Sequence, residues 1–198
     1  MSNSVNRLVD VCKKDHIFAF LDVETTGLSV ELNDRICEIA ILKYYPDGTT
    51  SEWQTLVNPC REISYEAAGI THISNEMVAS APKFREVAKK LLKLIEDTTI
   101  VCHNAKFDLG FVQSELKSCN LSLPDRPVLD TLKIARDHFT FPSNSLGKIA
   151  AFLEIDATQA HRALADVCIT HKVFQHMVRE LTKKGIEVNQ LTKSCLVY

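Results

Sequence analysis

The chain has 198 residues, 45% of them hydrophobic, with 23 Lys and Arg against 25 Asp and Glu and a formal net charge of −2. This is ordinary globular composition at a length that suits one α/β domain, and it excludes a disordered, collagen-like or low-complexity chain. The slightly acidic balance excludes a protein that coats nucleic acid through a global positive field, so a nucleic-acid partner would have to be held at a local site.

Residues 1–14 are read as an N-terminal extension, and the first 16 residues, MSNSVNRLVDVCKKDH, have no apolar signal core. IFAFLDV, 17–23, is apolar on both faces and predicts a buried central strand. RICEIAILKYY, 35–45, predicts a second strand, Asp47-Gly48 a hairpin turn, and SEWQTLVN, 51–58, a third strand. Strand, turn, strand makes these three antiparallel by default. Residues 64–78 read as short helical or irregular structure. Phe84, Val87, Ala88, Leu91, Leu92 and Ile95 recur at helical spacing over 84–96. A strand is expected at 98–104, a helix at 106–118 and a brief strand at 127–130. Helices follow at about 130–138 and 145–153, with Ser145 as N-cap, and a final helix from about 161 to 184 stops near Gly185. Residues 185–198 read as a C-terminal tail. A meander leading into strands separated by helices is a mixed sheet with helices on its faces.

The seven cysteines are scattered, odd in number and without a C-x-x-C pair, which fits a reducing cytoplasm and gives neither a zinc pattern nor a disulfide framework. No apolar run approaches the ~20 residues of a membrane helix, so a cytoplasmic protein without a membrane partner is expected.

Asp22 and Glu24 end the first strand and share a face with Phe18 and Phe20. Two close carboxylates repel unless a cation lies between them, and hard divalent cations such as Mg²⁺ or Mn²⁺ take oxygen ligands. Alone, the pair could equally be turn-flanking acids. Two further segments add to it. His103-Asn104-Ala105-Lys106-Phe107-Asp108 lies where a strand hands over to a helix, and His161-Arg162-Ala163-Leu164-Ala165-Asp166 opens the final helix. Helix-dipole preference accounts for one N-terminal acid, but not for His103-Asn104 or for His161 five residues before Asp166.

Together with Asp22-Val23-Glu24-Thr25-Thr26-Gly27-Leu28, these segments resemble the three motifs of the DnaQ-like (DEDDh) 3′–5′ exonucleases. That family includes the epsilon proofreading subunit of bacterial DNA polymerase III. Leu129-Asp130-Thr131, Asn144-Ser145-Leu146-Gly147 and Glu66 through Val78 also resemble family segments, and the likeness runs over roughly residues 15–180. It implies an α/β ribonuclease H-like fold, a five-stranded mixed sheet flanked by helices, with the exonuclease domain at 15–184.

The resemblance also implies two Mg²⁺ or Mn²⁺ ions. Asp22, Glu24 and Asp166 would hold one and Asp22 would touch the second, with Asp108 supporting the second through water. His161 would be the general base, a role suited to a side chain whose ordinary pKa is near 6.5. The implied reaction releases nucleoside 5′-monophosphates from DNA 3′ ends, with polymerase proofreading as its setting. Implied substrate contacts are Thr25 and Thr26 through their backbone, Leu28 and Ile70 as wedges against the last bases, Glu66 at the terminal 3′-OH, and Asn104 and Phe107 lining the nucleotide pocket. Core packing is the competing reading for Leu28 and Ile70. Where proofreading subunits often read Val-His-Gly-Ile-Thr, this chain reads Ile70-Thr71-His72-Ile73-Ser74, which puts Thr71 at the place of a sugar-contacting His. The implied partners are a single-stranded or frayed 3′ end of DNA and a replicative DNA polymerase. Two alternatives are an RNA-trimming exoribonuclease on the same scaffold and a non-catalytic nucleic-acid-binding module; intact acids at all four positions count against the second.

Overall fold

The structure, a computed structural model, describes residues 16–158 and 160–194. The expected extension at 1–14 and the end of the expected tail, 195–198, lie outside the described residues.

The buried strand is β1 (Phe18–Thr25), followed by a 3₁₀ turn (Val30–Leu32), β2 (Ile36–Tyr44) and β3 (Thr50–Leu56). β1 pairs antiparallel with β2, and β2 with β3, as a meander requires. Two short helices, α1 (Tyr65–Thr71) and α2 (Asn75–Ala79), occupy the segment read as irregular, with Ser64 and Ser74 as N-caps. Then come α3 (Phe84–Leu94), β4 (Thr99–Cys102), α4 (Ala105–Ser118), β5 (Pro127–Asp130), α5 (Thr131–His138), α6 (Leu146–Phe152) and α7 (Ala163–Lys183). β4 lies parallel to β1, and β5 parallel to β4. This is the expected five-stranded mixed sheet in the order β3-β2-β1-β4-β5.

A sixth strand corrects the expected tail. β6 (Lys193–Ser194) pairs antiparallel with Pro127 and Val128 of β5. Val188 is fully buried, and Ile186 and Leu191 pack on the same core. These apolar residues keep the chain on the domain after Gly185, so the folded unit continues to Ser194 instead of closing at 184.

Strand alternation sorts the core into two layers. Phe18 and Phe20 pack beneath α5, α6 and α7, with Phe174 of α7 tilted against both rings. Ala19, Leu21 and Val23 face α3 and α4 on the other side. By the same alternation Asp22 and Glu24 point towards α7, the helix that carries Asp166. Ser145 precedes α6 as expected but caps it without a side-chain hydrogen bond. Among the described residues, no helix is long and apolar enough to cross a membrane.

Candidate active site

β1 outruns β4. Their pairing reaches only Phe20 opposite Val101, so Asp22 to Thr25 project beyond the parallel neighbour, at the carboxyl ends of the parallel strands. Here Val23 gives its N–H to Asp108 Oδ1 of α4, at 3.2 Å, across the other layer. From the α7 side comes Asp166. Asp22, Glu24 and Asp166 bring carboxylate oxygens within 4.8 Å of one another. Asp108 is buried behind Asp22 and stands outside that trio.

Burial and mutual repulsion set the electrostatics. Burial holds the Asp22 carboxyl well above the ordinary range, and the charges of Asp108, Asp166 and Glu24 push it further. Glu24 is pushed up to about 8 by burial, Asp166 and Glu38, with Arg162 pulling the other way. Burial raises Asp108 against the bond from Val23, and raises Asp166 against the His161 N–H and the nearby imidazole. Among the described residues none of these four acids forms an ion pair with Lys or Arg. An oxygen-only donor set that repels itself in this way fits a hard divalent cation.

His161 is exposed and left-handed, with φ of 70°, and its N–H donates to Asp166 Oδ2 at 3.2 Å. That places the imidazole at the rim, one residue before the fork that fixes α7. In the fork, Arg162 Nε and Nη2 donate to the two oxygens of buried Glu38 at 3.1 and 2.6 Å, and the Ala163 N–H adds a bond of 3.0 Å. Glu38 lies opposite Glu24 in the β1–β2 register. Asp130 does the same for α4. It accepts N–H bonds from Asn104 and Ala105 at the head of α4 and from Leu132 and Lys133 at the head of α5. His103 bridges Thr131 Oγ1 and the Asn144 carbonyl, at 2.9 and 3.0 Å, so it fastens the neighbouring loop. Sequence reading did not single out Glu38; its one signal is an acid inside an otherwise apolar strand.

The expected substrate contacts divide. Leu28 is 84% and Ile70 54% exposed, which rules out core packing for both. Leu28, Asn104 and Phe107 line one groove of about 380 Å³ between the motif-one loop and α4. Glu66 is exposed in the first turn of α1. Thr26 is a correction: its N–H donates to the Arg35 carbonyl, its carbonyl accepts from Ser64, and its hydroxyl bonds to Asp34. All its polar groups are spent inside the loop. Thr71 is a second correction, because it is buried and its hydroxyl binds the Ala67 carbonyl and the Ile73 N–H. The Thr25 side chain is likewise turned inward, to the Gly27 carbonyl at 2.5 Å. Gly27 is favoured by close approach: a Cβ there would collide with the Asp34 carboxylate, which Thr26, Ser29 and Arg61 hold in place.

The exonuclease family model matches residues 19–174, which contain every one of these carboxylates. The chain belongs to the exonuclease family. It is 34% identical to DNA polymerase III PolC-type of Bacillus cereus over 188 residues, covering 93% of this chain and 13% of that protein. With the Thermotoga maritima protein of the same description it shares 37% over 172 residues, covering 87% and 12%. The chain thus spans about an eighth of the length of these relatives. Among solved structures, E. coli exonuclease I with a dT13 oligonucleotide superposes with a TM-score of 0.76 at 18% identity, covering 85% of this chain and 42% of that one. Exonuclease X with 5′ overhanging duplex DNA gives 0.67 at 25% identity, covering 88% and 96%. The family is that of divalent-metal-dependent nucleases, and the carboxylate trio is its expected metal-holding feature.

Proposed function

We propose that the protein hydrolyses DNA from the 3′ end, releasing nucleoside 5′-monophosphates, with two Mg²⁺ or Mn²⁺ ions at the carboxylate cluster. The observation that carries this reading is the convergence of Asp22, Glu24 and Asp166 within 4.8 Å, with no Lys or Arg ion pair among the described residues, in an exonuclease-family chain. Asp22, Glu24 and Asp166 would hold one ion, and Asp22 with Asp108 would serve the second. When bound, the ions lower the pKa of water and neutralise charge at the reacting phosphate. His161 takes the proton from the attacking water at a ring nitrogen. Its backbone bond to Asp166 keeps it beside the cluster while the side chain stays exposed. The displaced group is the 3′ oxygen of the preceding nucleotide. The groove bounded by Leu28, Asn104 and Phe107 receives the terminal nucleotide, and Glu66 reaches its 3′-OH.

DNA is favoured over RNA because the similar solved structures hold DNA oligonucleotides or duplex and the relatives are DNA polymerases. The same relatives support a replicative polymerase as partner, and the unpatterned cysteines support a cytoplasmic setting. Equal-length DNA and RNA oligonucleotides labelled at the 5′ end test the reading. The expected result is a ladder shortening from the 3′ end of DNA in Mg²⁺ and no products in EDTA. Chelator-insensitive cleavage, release from the 5′ end, or hydrolysis of RNA alone would overturn it.

A further inference from the structure

Among the described residues six large apolar side chains are exposed, and five of them, Leu28, Leu32, Tyr65, Ile70 and Met77, come from the stretch 28–77 that follows the motif-one acids. That stretch is fastened to the site. Ser64 gives its N–H to the Thr26 carbonyl at 3.2 Å, and Arg61 binds the carbonyls of Leu32 and Asn33 and pairs with Asp34. α1 therefore starts one residue away from a direct bond to the loop that follows Asp22 and Glu24.

The outward face of α1 is Tyr65, Glu66, Gly69 and Ile70, neighbours at helical spacing. Tyr65 is 90% exposed, and nothing lies within 4 Å of where a Cβ on Gly69 would sit, so the ring stands beside open space. Both arginines of the stretch are engaged internally, Arg35 with Glu115 and Arg61 with the 3₁₀ turn. The strip thus offers the Tyr65 ring and aliphatic surface beside one carboxylate, Glu66, and no arginine. Such a surface suits the faces of unpaired bases rather than phosphates.

We propose that the outward face of α1 is a base-stacking platform for single-stranded substrate, with Tyr65 taking the face of one base outside the terminal-nucleotide groove. This rests on the nuclease reading above and adds to it a residue that the carboxylate chemistry does not need. Affinity from stacking tolerates any base and depends weakly on salt, in keeping with a chain of net charge −2.

The test is anisotropy of a short 5′-fluorescein oligothymidylate in Ca²⁺, with hydrolysis checked by gel, for wild type, Tyr65→Ala and Tyr65→Phe. Tyr65→Ala should weaken binding roughly tenfold, and Tyr65→Phe should stay near wild type. An abasic residue moved along the probe should cost wild type roughly tenfold at one position and cost Tyr65→Ala nothing further there, the coupling expected of a direct contact. Unchanged binding by Tyr65→Ala, or losses that simply add, would overturn the platform while wild-type hydrolysis keeps the nuclease reading intact. A Tyr65-dependent dimer in sedimentation would also overturn it, by assigning the face to a second copy. Wild type that neither binds nor hydrolyses DNA or RNA would remove both proposals together.

Discussion

Two groups of buried and half-buried acids sit within a few residues of each other and meet opposite fates. Glu38 and Glu115 are each gripped by an arginine fork: Arg162 on Glu38, and Arg35 on Glu115 at 2.7 and 2.6 Å. Among the described residues Asp22, Glu24, Asp108 and Asp166 have no such partner; burial raises all four, and repulsion within the group adds to it at Asp22, Glu24 and Asp108. Glu24 and Glu38 even face each other across the β1–β2 pair. The difference separates fastening from chemistry. A buried carboxylate with a bidentate guanidinium is already satisfied and locks two segments together. A cluster without one repels itself and suits a cation, so the uncompensated carboxylates mark the candidate site.

The largest effect expected from breaking this contrast is at Asp22. Asp22→Asn should abolish hydrolysis in Mg²⁺ and, by removing one of the repelling charges, raise the melting temperature of the metal-free protein. More than a few per cent residual activity would refute a ligand shared by both ions. His161→Ala should lower the rate by roughly 10²–10⁴ with divalent-cation binding preserved in calorimetry. The pH–rate profiles of both proteins are the check, since an acid limb unchanged in the variant assigns the base elsewhere.

Smaller effects come from the forks, and they differ. Glu38→Gln should cost about 1–3 kcal/mol in denaturant unfolding, less than a fully buried pair because 40% of the Arg162 side chain reaches water. It should also slow hydrolysis by up to about 10²-fold, because Glu38 sets the start of the helix that carries Asp166 and the position of His161. Glu115→Gln should cost a similar amount of stability and leave the rate within a few-fold, since Arg35 and Ile36 touch none of the four acids. Equal rate losses in the two variants would dissolve the distinction between them.

The layer arrangement was legible in the sequence because it is local. IFAFLDV is apolar on both faces, α3 keeps a helical stripe, and the Asp47-Gly48 turn forces antiparallel pairing. The four acids were legible because each lies at the end of a strand or in the first turn of a helix. What joins distant segments was not. Glu38 and Arg162 are 124 residues apart and Glu115 and Arg35 80 apart, and no periodicity announces such pairs. Thr26 and Thr71 read as substrate contacts because they lie in segments that resemble the family's. Only the fold shows their hydroxyls turned into the loop and the end of α1. β6 was missed because two residues carry too little pattern, and the burial of Val188 that holds them there is tertiary.

The central claim is that the acids without an arginine partner form a preformed cation site, and melting with and without Mn²⁺ at pH 5 and pH 8 tests it most directly. A carboxyl raised in the folded state pays nothing below its unfolded pKa; its penalty grows as pH rises and is complete above its folded pKa. For Glu24, moved from 4.5 to about 8, that window spans pH 4.5 to 8 and is worth up to about 5 kcal/mol. The metal-free protein should therefore lose stability from pH 5 to pH 8. Saturating Mn²⁺ should restore it at pH 8, with a much smaller increment at pH 5, where protons already occupy the cluster. A melting temperature indifferent to Mn²⁺ at pH 8, with EDTA as reference, would contradict the account.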